Sequence, residues 1–146
     1  MIINKIKKII RKRLYEYPLY DRLIKDLEME KETKEGKDIN SFIRSKNKIS
    51  NSIENQVIKN IACDSKIKEY KKWQELIDNV LQDFRKNDKI KLKLIEYKFF
   101  GNIPEDIIAE ELFISKSTVR SYLKDIYFEV GILATLEELI NKNNLK

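Results

Sequence analysis

Histidine is absent from this 146-residue chain. Its absence removes histidine-based triads, imidazole acid–base chemistry and histidine-ligated zinc together. The single cysteine, Cys63, leaves no internal disulfide and no cysteine-rich metal site, and it suits a reducing interior. Three glycines and two prolines are too few for the many turns of a β-sandwich or barrel, so the expected fold class is all-α. No apolar run reaches the length of about eighteen residues that a membrane span needs. The N-terminus carries no uninterrupted apolar stretch with a small-residue cleavage site, and the expected location is the cytoplasm.

Charge is plentiful by contrast. Lysine and arginine number 30 against 24 acids, a net of +6, which favours an anionic partner. Its distribution says more than its sum. Residues 1–15 hold Lys5, Lys7, Lys8, Arg11, Lys12 and Arg13 and no acid, whereas residues 16–40 are net acidic.

Ile2, Ile6, Ile9, Ile10 and Leu14 follow helical spacing, so residues 2–15 read as an amphipathic helix. Pro18 suits the start of a second helix, from about Leu19 to Lys34, with Gly36 past its end. Residues 37–51 lack a period and read as a loop. Asn51 with Glu54 resembles a capping box opening a helix through Ile53, Val57, Ile58 and Ile61. From Ser65, the stripe of Tyr70, Trp73, Ile77, Val80, Leu81 and Phe84 predicts a further helix ending near Lys86. Asp88 caps the next helix, around Ile90, Leu94 and Ile95, and Gly101 stops it. The expected organisation is 1–50, a basic helix, second helix and loop; 51–86, a helical connector; and 87–146, a DNA-binding domain.

That last assignment rests on residues 104–130. Pro104 followed by Glu105 and Asp106 is a helix start matched to the helix dipole. This helix runs to about Leu112; Phe113 and Ile114 break it, and Ser115 is a preferred N-cap for a second helix from Lys116 to Val130. Ala109 is small enough for a close helix crossing, and Ile108, Leu112, Ile114, Val119 and Leu123 flank it with apolar side chains. This is the pattern of a helix-turn-helix, whose second helix enters the DNA major groove. With Val119 and Leu123 inward, Lys116, Ser117, Arg120, Ser121 and Lys124 share the outward face, which offers cations and hydroxyls and no acid. Arginine can bridge the edge of guanine, and serine can bond base edges or phosphate.

The segment LFISKSTVRSYLKDIYFEVGI resembles the DNA-binding domain of LuxR/GerE-type regulators through Ile114, Ser115, Thr118, Val119, Leu123, Ile126, Tyr127 and Gly131. The resemblance implies that Thr118, Val119 and Arg120 lie on the recognition helix against DNA. It also implies a fourth helix, here Leu133 to Ile140, of the kind that often mediates dimer contacts, so a homodimer through the C-terminal helix is expected. The whole chain resembles, more loosely, the RinA/ArpU-type regulators of Gram-positive phages. The echoes are LYEYPLY, ISNSIENQVIKNI and the C-terminal helix-turn-helix, which is like the promoter-reading domain of sigma factors. That resemblance implies a phage or prophage activator of late genes. The stretch GNIPEDIIA departs from these patterns: it is one residue longer than expected, and Ile103 replaces the usual hydroxyl cap.

The expected function is therefore sequence-specific binding of double-stranded DNA by helix 116–128 in transcription regulation. No enzymatic activity, cofactor or metal is expected. Pairs such as Glu110–Glu111 and Glu137–Glu138 are adjacent and diverge on a helix, and three glycines make no phosphate-cradling loop. Two alternatives stand beside it. One is a sigma-like factor that also touches RNA polymerase; the other is a membrane-surface adaptor using the basic N-terminal helix, the less favoured of the two.

Overall fold

A computed structural model describes residues 2–36 and 46–144, with side chains described for 4–31 and 53–136. Every regular element among the described residues is helical. In chain order they are α1 (Ile2–Glu16), a 3₁₀ turn (Tyr17–Leu19), α2 (Tyr20–Gly36), α3 (Lys46–Asn87), α4 (Lys89–Ile95) running into a wide turn (Glu96–Phe100), α5 (Glu105–Leu112) and α6 (Lys116–Asn144). None of these helices is long and apolar enough to cross a membrane. The chain divides into two compact units: Met1–Pro18 with Trp73–Lys146, and Leu19–Lys72.

In the unit Leu19–Lys72, Tyr20 and Ile24 of α2 and Cys63 and Ile67 of α3 are buried. The Tyr20 and Tyr70 rings stack with centroids 5.4 Å apart. Lys31 of α2 pairs with Asp64 of α3. Ile53, Val57, Ile58 and Ile61 all lie exposed.

The helix breaks expected before Asn51 and near Ser65 do not occur. The predicted loop of 37–51 gives way to helix at Lys46, while 37–45 lie outside the described residues. Between Lys46 and Asn87 there is neither glycine nor proline. Asn51 and Ser65 suit caps, but each costs only a few tenths of a kcal/mol inside a helix. Ending and restarting the helix there would instead leave four N–H and four C=O groups without helical partners.

In the other unit, Leu76, Ile77, Val80 and Phe84 of α3 are buried, as are Leu94 and Ile95 of α4. Asp88 caps α4 as expected, its carboxylate accepting from the Lys91 amide at 3.3 Å. The wide turn closes with Gly101 N–H donating to Glu96 O at 2.9 Å and Ile103 N–H to Tyr97 O at 2.9 Å. A Cβ on Gly101 would lie 3.1 Å from the Tyr97 carbonyl, a tight contact that the backbone there would have to relax by a few tenths of an ångström to admit. Its Phe99 is buried and meets Tyr15 of α1 edge-on at 4.9 Å and Tyr127 of α6 at 6.2 Å. Tyr17 donates to the Asp78 carboxylate of α3.

Helix α1 packs against α6 and the wide turn through Ile10 and Leu14, which are fully buried. Ile6 and Ile9, expected on the same buried stripe, remain exposed at 43% and 49%. The helix expected to end at Val130 continues through Gly131 to Asn144, and no separate fourth helix begins at Leu133. A Cβ on Gly131 would meet Ile10 Cδ1 at 3.4 Å and Ile6 Cγ2 at 3.7 Å, ordinary contact distances. The glycine therefore marks where α1 lies close, and its backbone stays helical.

Because the added methyl fits, Gly131→Ala should stabilise the protein by about 0.5–1 kcal/mol, the usual gain for this change inside a helix. Thermal unfolding reads this directly. A lower melting temperature would mean that α1 lies closer to α6 than described, or that the helix is broken there.

Candidate nucleic-acid interface

Helix α5 starts after Pro104, whose extended backbone (φ −62°, ψ 149°) turns the chain into the helix with no side-chain cap. Ile107 and Ile108 N–H both donate to the Pro104 carbonyl at 3.1 Å. The missing hydroxyl cap noted at Ile103 is thus offset in part by Glu105 and Asp106, whose charges complement the helix dipole.

The far end of α5 closes with a Schellman arrangement. Phe113 N–H donates to Glu110 O at 3.3 Å, and Ile114 N–H to Ala109 O at 3.0 Å. This requires a left-handed residue, and Phe113 takes that role at φ 57°, ψ 41°. Glycine usually fills such a position; a residue with a Cβ pays about 1–2 kcal/mol for it. The ring gains nothing in return, since Phe113 is 93% exposed. The signal for this strain was present in the sequence: a break as short as Phe113–Ile114 needs a left-handed residue, and none there is glycine.

Ser115 caps α6 as its sequence position predicts. Its hydroxyl oxygen accepts from the Thr118 amide at 3.1 Å, and its carbonyl accepts from Val119 N–H at 3.1 Å. It also shares hydrogen bonds with the Thr118 hydroxyl at 2.7 Å and the Ser117 hydroxyl at 3.1 Å.

Helix α6 then buries Val119, Leu123, Ile126, Tyr127 and Val130. These spacings of three and four form one stripe, which fixes how the helix is rotated against its neighbours. Ile108 and Ala109 of α5 are buried. Lys91 of α4 donates to Glu129 of α6 at 3.0 Å, a tie that adds to the apolar seat.

Of the expected site residues, Lys116, Ser117, Arg120, Ser121 and Lys124 are all exposed, Ser117, Ser121 and Lys124 on the side of α6 away from that stripe and Lys116 at the helix start. Thr118 is half-buried, with its hydroxyl engaged by Ser115. Farther along α6 the exposed surface turns apolar at Phe128, Ile132 and Leu136. With Ile6 of α1 these side chains line an open groove of about 590 Å³, with Lys7 and Lys124 also among its lining residues.

The face is less purely cationic than α6 alone suggests. Asp106 of α5 reaches Lys116 at 2.7 Å, and Glu105 reaches Arg120 at 3.6 Å. Glu105 also accepts from Lys98 at 2.6 Å. The Lys98 hydrogen bond holds the Glu105 carboxyl below its ordinary range, with Lys98 and Arg120 charge adding and burial opposing. The hydrogen bond from Lys116 lowers Asp106 likewise. These acids belong to a different helix, so the periodicity of α6 could not reveal them.

On α1, Lys5, Lys8, Arg11 and Lys12 are exposed. The Arg11 guanidinium lies 5.9 Å from the centre of the Tyr127 ring, and that of Arg13 lies 5.3 Å from the Trp73 ring. Arg13 and Lys12 also pair with Glu16, at 3.5 and 3.8 Å. Comparison of the chain with models of protein families, with curated proteins and with solved structures returned no match.

Glu105 makes a pH prediction with a definite sign. Its carboxyl binds a proton less readily in the folded protein than in the unfolded chain. Its contribution to stability is therefore complete above the ordinary glutamate value of 4.5 and is lost as pH falls through the lower folded value. Glu105→Gln should be less stable than the parent at neutral pH and show a shallower loss of stability below about pH 4.5. Identical acid limbs for the two proteins in denaturant titrations would contradict the Lys98–Glu105–Arg120 assignment.

Proposed function

We propose that the chain is a helix-turn-helix regulator of transcription that binds double-stranded DNA sequence-specifically and has no enzymatic activity. Helices α5 and α6 are the two arms, and residues 116–128 of α6 enter the major groove. One observation carries this reading above others. The buried stripe Val119, Leu123, Ile126, Tyr127 and Val130 holds Lys116, Ser117, Arg120, Ser121 and Lys124 out in solvent as a single surface of cations and hydroxyls. Such a surface has the donors that phosphates and guanine edges accept.

Asp106 and Glu105 fit the reading as exchangeable partners. In the free protein they neutralise Lys116 and Arg120; on DNA, those cations turn to the duplex. Exposed pairs of this sort are weak enough to give way. Thr118, engaged by the Ser115 hydroxyl, steadies the start of α6.

The resemblances to LuxR/GerE-type and RinA/ArpU-type regulators extend the proposal to a cytoplasmic phage or prophage activator. A sigma-like contact with RNA polymerase is its variant. The exposed Phe128, Ile132 and Leu136 favour a homodimer through the C-terminal helix. The membrane-adaptor reading retains the exposed Ile6 and Ile9, but Ile10 and Leu14 are committed to the protein interior and unavailable to lipid. The DNA reading is preferred for that reason.

Arg120→Ala tests the face. Duplexes enriched from a randomised pool by the parent protein should bind the variant more weakly by about 1–3 kcal/mol, with selectivity relaxed at one or two positions. The melting temperature should hardly change, because the Arg120 side chain is 64% exposed. Unchanged affinity with unchanged selectivity would show that this face does not read DNA.

The cations of α1 make a separate prediction. Lys5, Lys8 and Lys12 are exposed and uniform, so their contacts are to phosphate. Replacing all three with glutamine should weaken binding to selected and random duplexes by similar factors. Each lost contact should flatten the slope of log affinity against log salt by about 0.9. An unmoved slope in the folded variant would remove α1 from the interface.

A further inference from the structure

The left-handed Phe113 joins a backbone conformation that closes α5 to a ring that the fold itself does not use. Its backbone is in a conformation that costs any residue bearing a Cβ, and its ring is 93% exposed. Glycine would close the helix without that cost, which leaves the exposed ring as the feature with no role inside the chain. The place is specific: two residues before the Ser115 cap, at the turn from which the cations and hydroxyls of α6 project.

We propose that Phe113 is a contact residue for double-stranded DNA, its ring packing on the apolar surface of the duplex beside the groove that α6 enters. This rests on the DNA-binding reading given above. The apolar surface of a duplex consists of thymine methyl groups and deoxyribose, and phenylalanine is suited to either. DNA is favoured over a protein partner by the surroundings. Leu112 and Ile114 beside Phe113 are half-buried, so the ring is the most exposed apolar group at the turn. The exposed side chains that follow it are Ser115, Lys116 and Ser117. Glu110 and Glu111 precede it and are exposed, so the contact is apolar and not ionic.

Phe113→Gly separates the two features, because glycine relieves the strain and deletes the ring. Its melting temperature should equal or exceed that of the parent. Affinity for duplexes enriched from a randomised pool should fall about five- to tenfold. The slope of log affinity against log salt should stay unchanged, since no phosphate contact is lost. Phe113→Leu should keep most of the affinity. Replacing thymine by uracil in the duplex should weaken the parent and not Phe113→Gly where the methyl group is the target, and should affect both alike where deoxyribose is.

Parental affinity in Phe113→Gly would overturn the proposal and leave the ring to a protein partner. A melting temperature well below the parent would overturn it too, by showing that the ring supports the fold. Arg120→Ala, measured in parallel, tells the two failures apart. If it binds weakly while Phe113→Gly binds normally, only the Phe113 assignment falls. If both bind as the parent does, the DNA reading falls and takes this assignment with it.

Discussion

The rotation of α6 about its own axis governs everything proposed for this protein. Val119, Leu123, Ile126, Tyr127 and Val130 are each at most 6% exposed, and they follow one another at helical spacing along a single side. A helix seated this way has no freedom to turn, because rotating it would bring apolar surface into water at roughly 25 cal/mol for each Å². The opposite side is then determined too. The seat fixes the backbone from which Lys116, Ser117, Arg120, Ser121 and Lys124 project, and a fixed supporting element is what base reading requires.

The seat is built from both ends of the chain. Helix α1 contributes Ile10 and Leu14, and the wide turn contributes Phe99, which contacts Tyr15 and Tyr127 from either side. At Gly131 the side chains of Ile6 and Ile10 come within contact distance of α6. A consequence is that the cations of α1 belong to the same compact unit as the face of α6. In the proposed complex, base-reading and phosphate-holding charges are thus carried by one body. Glu105 and Asp106 temper that charge in the free protein by pairing with Arg120 and Lys116.

What could be read from the sequence was what local rules decide. Asp88 and Ser115 cap helices where their side chains can reach an amide three residues on. The exposure of Ser117, Ser121 and Lys124 follows from periodicity, as does the burial of Ile108, Val119 and Leu123. The end expected at Val130 does not occur because α6 runs on through Gly131, whose contact with Ile6 and Ile10 of α1 is tertiary and invisible to local rules. Asn51 and Ser65 were misread for the converse reason, since cap residues inside a long helix cost little when no glycine or proline interrupts it. The pairing of Asp106 with Lys116 and Glu105 with Arg120 depends on the turn that folds α5 onto α6, so neither helix showed it separately.

The most direct test of this account is an amide-resolved NMR titration of the full chain with a duplex enriched from a randomised pool, run against a scrambled duplex at physiological salt. The account predicts that the specific duplex perturbs Phe113 to Lys124 along the start of α6, with smaller changes at Lys5 and Lys8, and leaves the exposed Ile53–Ile61 stretch of α3 unmoved. Perturbations centred on that stretch, or identical responses to the two duplexes, would contradict it.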